Sequence, residues 1–306
     1  NLSLEDIYRI KLGKFGGWNR LLSNGEKTQI SEFVESQQAA YYRAINNRLL
    51  LSSSQSYLEF LLDLSRHNFV LENVWLDRPH KEDFALRCHY DFWDKTGAQL
   101  GFTSIEESLI TLQNHELQTE LEQVLVILID RLETQEFRMP LVGNMDVDSS
   151  SLNMHVRYPK EHILIAFKDT HFAKKSSSRE GVLTIKFANT ELMFVTLNKC
   201  EKQFSATTMY HDYALSPTLF HWQTQNNTRP TSGRGLGYIN QKAEKKTFLL
   251  FVREQAKDEN GRTMGFVNFG PVSFVKYEGS QPMNITWKLA HPMPSFMWHD
   301  TAKLAM

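Results

Sequence analysis

The chain has 306 residues, 41% hydrophobic and 23% charged, with a formal net charge of −1. That composition suits a globular protein, and the length exceeds the roughly 250–300 residues at which a single core stops growing, so two domains are expected. No apolar run reaches the ~18 residues of a membrane-spanning helix, and two distant cysteines, Cys88 and Cys200, predict a reducing compartment without a disulfide framework.

The net charge conceals a split. Residues 1–150 hold 14 Lys+Arg and 23 Asp+Glu, a net of −9; residues 151–306 hold 20 and 12, a net of +8; the two sum to −1. An acidic half joined to a basic half fits a protein-contact module joined to a nucleic-acid reader, or two halves that attract each other. No signal peptide is visible and the chain opens on Asn1 rather than Met, so a piece of a longer cytoplasmic protein is expected.

The first half has helical periodicity. Ser3 with Asp6 three residues later is a capping-box start. Gly16-Gly17 and Asn24-Gly25 break the pattern. Apolar residues recur at helical spacing from Lys27 to Leu51, and again from Tyr57 to Leu64. Asn73 to Thr96 is mixed, without a clear period. Ser104 and Glu107 then predict an N-cap, followed by helix from Ile105 to Glu133 with a break at Asn114-His115. These segments predict a helical bundle or connector over 1–145, with a linker at Gly143 to Ser151.

The second half changes period. After one short helix from Pro159 to Phe167, residues 180–187, 192–197, 247–253, 265–269, 272–277 and 283–289 read as strands rich in β-branched and aromatic residues. Asp258–Gly261 and Glu278–Pro282 read as hairpin turns. The fold class expected is therefore α+β, with the helical part followed by a mostly-β barrel over 151–306.

Catalytic signatures are absent from the sequence. There is no phosphate-cradling G-x-x-x-x-G-K-[ST], no C-x-x-C or H-E-x-x-H, no G-x-S-x-G, and no H-x-K among the eleven histidines. No metal site or catalytic residue is expected in this chain; the one enzymatic alternative is a cryptic nuclease at Glu244 and Lys246. The chemistry that remains is binding. Tyr210 to Gln225 sets two Tyr, one Asp, two His, one Trp and two Gln within 16 residues. Aromatic faces stack on bases, and Asp and Gln hydrogen-bond base edges. Tyr210, Asp212, Tyr213, His221, Trp222, Gln223 and Gln225 are the base-contacting candidates, with Asp212 placed to accept from an exocyclic amine. Lys174, Lys175, Arg179, Lys199, Lys202, Arg229, Ser232 and Arg234 are the candidates for the nucleic-acid backbone. The competing reading puts Tyr213 and Trp222 in the core and makes Asp212 a turn cap.

Residues from about Ser151 to Met297 resemble the C-terminal domain that follows the helicase core in many bacterial superfamily 2 helicases. The motifs that carry the resemblance are His155-Val-Arg-Tyr-Pro, Arg179-Glu-Gly-Val, Phe194-Val-Thr-Leu-Asn-Lys, Tyr210-His-Asp-Tyr-Ala, Phe220-His-Trp-Gln-Thr-Gln, Leu250-Phe-Val-Arg-Glu, Phe269-Gly-Pro-Val and Pro282-Met-Asn-Ile-Thr-Trp. The resemblance implies an ATP-dependent, modification-dependent (type IV) restriction enzyme with a phospholipase D-type nuclease, of which this chain is the target-recognition part. It implies an SRA-like or related DNA-binding barrel that reads 5-methylcytosine or 5-hydroxymethylcytosine by base flipping. The implied partners are double-stranded DNA with modified cytosine, the helicase and nuclease domains of the same chain, and a second copy as a homodimer, with no membrane. ATP and magnesium belong to the helicase and nuclease parts, and no cofactor to this chain. The alternatives are a sequence-specific or general DNA-binding module, and a structural module coupled to the helicase motor.

Overall fold

The computed structural model describes residues 3–10, 16–18, 21, 35–74, 80–132, 137–138, 151–198, 212–231 and 233–302. Their contacts form two compact units, each discontinuous in sequence. One comprises Asn1–Gln135, Arg157–Ser177 and Glu259–Thr263; the other comprises Glu136–Val156, Ser178–Asp258 and Met264–Met306. By composition the chain divides at 145–151. By contact, residues 157–177 and 259–263 group with the helices. Most of the expected linker, residues 143–150, lies outside the described residues.

The first unit is helical, with α1 (Leu4–Arg9), α2 (Glu35–Asn47), α3 (Gln55–Arg66), α4 (Lys81–Trp93), α5 (Gly97–Leu100), α6 (Ile105–Ile110), α7 (His115–Asp130) and α8 (Lys160–Ala166). The Ser3–Asp6 capping box is formed. Ser104 caps α6 by accepting from Glu107 N at 3.2 Å, while Glu107 turns back to Thr103 N at 2.6 Å. The expected break lies between α6 and α7, where the Asn114 side chain accepts from Leu117 N. In α7, Leu117, Leu121, Val124, Leu125 and Leu128 are buried, a stripe at helical spacing. Each such side chain contributes about 1.5–3 kcal/mol when fully buried.

Helix α4 occupies the segment where the sequence shows no period. Every residue from Asp83 to Phe92 is buried. A helix enclosed on all sides needs no apolar stripe, but its polar groups must find partners inside. Asp91 does so: Tyr57 Oη donates to Oδ2 at 2.7 Å and His162 Nε2 donates to Oδ1 at 2.8 Å. Burial lowers the pKa of His162 despite the nearby Asp91 carboxylate. Arg87 lies over the rings of Phe84 and Tyr158, at 5.0 and 5.7 Å.

An eight-stranded mixed sheet runs through the second unit, and seven of its strands, all from this unit, form its continuous path. They are β1 (Val182–Ile185), β2 (Thr190–Asn198), β3 (Tyr213–Ser216), β4 (Leu219–Gln223), β5 (Thr247–Gln255), β6 (Phe266–Glu278) and β7 (Asn284–Leu289). Their order is β1-β2-β5-β6-β7-β4-β3. Two helices accompany them, α9 (Gly233–Ile239) and α10 (Ser295–Ala302). The two strands expected at 265–269 and 272–277 are one, β6, continued through Gly270 at φ 77°. At that φ a side chain is strained, and a Cβ would also lie 2.6 Å from Met154 Sδ, so glycine is favoured here.

This sheet corrects the barrel expectation: it is mixed and not closed. Strands β2 and β5 pair in parallel, Thr190 with Thr247 through Asn198 with Gln255. A parallel pair requires a crossover of a dozen or more residues, so the sheet does not wind hairpin by hairpin. Its end strands, β1 and β3, do not pair with each other among the described residues. One face holds the core, including Phe220, Trp222, Phe248, Phe269, Ile285 and Trp287. Among the described residues no helix is long and apolar enough to cross a membrane.

Candidate nucleic-acid interface

The hairpin of β3 and β4 covers most of the described part of the aromatic segment. Strand β4 alternates strictly, with Phe220 and Trp222 buried and Leu219, His221 and Gln223 partly exposed. Period-2 geometry therefore sends its two aromatic rings to the core and its polar side chains to the outer face. Tyr213 pairs with His221, His221 with Thr286, and Thr286 with Lys276, so one row of side chains crosses four strands. A second row is Gln223, Asn284 and Glu278.

Tyr213 and His221 stack face to face, with centroids 4.5 Å apart and an interplanar angle of 12°. Both are partly exposed. Gln223 Nε2 donates to Asn284 Oδ1 at 3.2 Å. Lys276 Nζ donates to Glu278 Oε1 at 2.8 Å, and that hydrogen bond holds the Glu278 carboxyl below the usual carboxylate range, with a further contribution from His221. The outer face thus offers a flat aromatic pair, amide donors and acceptors, and an ammonium, all on rigid strands. Such a surface can stack a base and hydrogen-bond its edge.

Trp222 is corrected from a stacking candidate to a core residue. Its ring meets Tyr238 at 5.4 Å and Trp287 at 6.4 Å, and it is 7% exposed. Asp212 is 5% exposed, and its Oδ1 accepts from Gln223 N at 2.9 Å. That bond ties the entrance of β3 to the end of β4, so at least one oxygen of Asp212 is engaged within the hairpin. Gln225 lies past the end of β4, where its carbonyl accepts from Thr228 N at 3.0 Å. Tyr210 lies outside the described residues.

The described backbone-contact candidates are divided between the two units. Lys174 and Lys175 belong to the helical unit, whereas Arg179, Arg229 and Arg234 belong to the sheet unit. Lys175 Nζ pairs with Asp94 at 2.7 Å and Glu161 at 3.4 Å. Arg234 Nη1 pairs with Glu180 at 3.1 Å, and that hydrogen bond, against the effect of burial, raises its pKa. Lys174, Arg179 and Arg229 are exposed. Lys199, Lys202 and Ser232 lie outside the described residues. The segment that carries Arg229 and Arg234 runs into helix α9. A Cβ on Gly235 would sit 1.9 Å from Arg229 O, so only glycine lets the loop lie against this helix. Of the nuclease alternative, Lys246 Nζ is held by Glu191 Oε1 at 2.7 Å, and Glu191 also accepts from the Thr184 hydroxyl at 3.0 Å.

Lys276, Asn284 and Thr286 were not singled out from the sequence, although Asn284, Thr286 and Lys288 alternate with Ile285, Trp287 and Leu289. That alternation is the signal that marks them as outward-facing. In the helical unit, an apolar groove of about 640 Å³ runs along α1 and α7, lined by Leu4, Ile7, Trp18, Val124, Val126 and Ile127. None of the predicted site residues lines it.

Residues 152–301 match the family described as a domain of unknown function (DUF3427). No curated protein matches the chain. The DUF3427 segment contains every strand of the β1–β7 path and both rows of outward-facing side chains. It also contains α8, whose His162 reaches Asp91 of α4.

Proposed function

We propose that the DUF3427 segment is the target-recognition region of a larger superfamily 2 helicase protein of the modification-dependent restriction type. In this reading it contacts DNA carrying 5-methylcytosine or 5-hydroxymethylcytosine through the outer face of β3, β4, β7 and β6. The observation that carries the reading is the partly exposed Tyr213–His221 stack beside the Gln223–Asn284 amide pair. The two rings already lie against each other, so a base stacks on the pair's outer side rather than between them. Extruding that base from a duplex costs a few kcal/mol, and stacking returns roughly 1–3 kcal/mol. A buried methyl adds only ~0.8 kcal/mol, by analogy with a methylene. Larger discrimination between modified and plain cytosine therefore requires hydrogen bonds that plain cytosine leaves unmade.

Recognition in this reading involves no catalysis within the chain. ATP hydrolysis and magnesium-dependent cleavage fall to the helicase and nuclease parts, in a bacterial cytoplasm, and a homodimer forms a further contact. The test is binding to matched duplexes with cytosine, 5-methylcytosine or 5-hydroxymethylcytosine at two salt concentrations. Preference for a modified duplex, lost in a folded Tyr213→Ala chain, is the expected result. Equal and steeply salt-dependent binding to all three would reduce the face to a general DNA contact.

A further inference from the structure

Strand β5 places Arg253 on the same side of the sheet as the polar rows, on the strand next to β6. Its guanidinium lies 4.4 Å over the Phe266 ring. Nε donates to Thr196 Oγ1 at 2.9 Å and Nη1 donates to Met264 O at 3.1 Å. Both acceptors are neutral. Among the described residues no carboxylate pairs with Arg253, and nothing accepts from Nη2. Arg253 as a whole is partly exposed. Two other cations of this unit differ: partly buried Lys246 has Glu191, and exposed Arg234 has Glu180. Burial alone, with no acid offsetting it, lowers the Arg253 pKa to about 10, which leaves the group charged at neutral pH.

We infer that Arg253 is an anion-receiving site for a phosphoryl group, which the Nη2 end of the guanidinium grips while Phe266, Thr196 and Met264 hold the rest in place. A fixed, partly desolvated guanidinium presents paired donors that match phosphate oxygens. The choice of phosphate over carboxylate rests on the nucleic-acid reading and on the net charge of +8 over residues 151–306 (20 minus 12), which favours polyanions.

The test titrates the chain with inorganic phosphate, with acetate, and with a short single-stranded oligothymidylate, and repeats this for Arg253→Met and Arg253→Lys. Methionine keeps an unbranched stem over Phe266 without the charge. Phosphate or oligonucleotide affinity is expected to fall about tenfold or more in the Met chain, and less in the Lys chain, which keeps charge but loses the fork. An effect on the oligonucleotide alone identifies a nucleic-acid backbone as the source. An effect on inorganic phosphate alone keeps the site and removes Arg253 from the nucleic-acid reading, whose own test is the duplex comparison. Acetate binding as tightly as phosphate would overturn the inference. So would variants that bind like the natural chain, or a natural chain that binds neither phosphate nor oligonucleotide. If circular dichroism shows the Met chain unfolded, the Lys chain decides.

Discussion

In the helical unit Asp83, Arg87 and Asp91 of α4 point inward; in the sheet unit the polar side chains His221 and Gln223 of β4 and Lys288 of β7 point outward. Asp91 sits at 1% exposure and receives Tyr57 and His162. Likewise, Glu120 accepts from the Tyr8 hydroxyl at 2.6 Å and from Trp18 N at 2.7 Å. These groups hold the bundle in one arrangement, and removing one strands the others in a medium that punishes unpaired charge. The sheet instead sorts side chains by parity. Phe220 and Trp222 build the core, while Tyr213, His221 and Gln223 line the opposite face. A titratable residue in the bundle is therefore first a structural element, whereas a polar residue on the outer sheet face is kept out of the core by strand parity.

Mutations break this comparison in order of size. Asp91→Ala leaves His162, Tyr57 and Arg48 without their shared carboxylate and is expected to cost about 3–5 kcal/mol, read by urea denaturation. A cost below 1 kcal/mol would show that the network is not what holds α4. Trp222→Ala opens the sheet core and is expected to cost a similar ~3–5 kcal/mol. A Trp222→Ala chain with full stability and lost DNA binding would return that ring to the contact surface.

The next effect is in pH. One nitrogen of His89 faces the Ser108 hydroxyl at 2.9 Å and the other faces Lys95 O at 2.8 Å. Burial lowers its pKa from 6.5 to about 4. The unfolded chain takes up this proton near pH 6.5 and the folded chain resists it, so the stabilisation is complete above about 6.5 and is lost as pH falls toward about 4. His89 alone should contribute roughly 2–3 kcal/mol across that window, and His162 adds in the same direction. Denaturation midpoints from pH 7 to 4.5 should fall less steeply in a folded His89→Gln chain.

The smallest effect on stability and the sharpest on function is expected from Tyr213→Ala. A cross-strand aromatic pair at a part-exposed position is worth ~1 kcal/mol or less to the fold. Loss of one stacked base should weaken DNA binding by roughly five- to a hundredfold, corresponding to ~1–3 kcal/mol. If stability falls by several kcal/mol instead, the stack belongs with the core and not with a reading surface.

Much of this was visible along the chain where periodicity speaks. The α7 stripe, the Ser3 and Ser104 caps and most strands follow from spacing and turn chemistry. Helix α4 was not visible, because Asp83, Arg87, His89 and Asp91 read as solvated residues until the surrounding helices enclose them. Trp222 was misread for a related reason. The clustering of aromatic and polar residues in 210–225 suggested one site, whereas strand parity divides the cluster between two faces.

Read along the chain alone, the residues already show the change from helix to strand near the middle, the acidic and basic halves, and the alternation in 219–223 and 284–289. These are local properties: backbone propensity, charge and period act within a few residues. Contacts between distant residues set the parallel pairing of β2 with β5 and the meeting of Trp222 with Trp287, and among the described residues they leave the sheet open and Arg253 without the acidic partner that Lys246 and Arg234 have. Each of those depends on residues far apart in the chain, where no period or spacing reports which side chain will meet which.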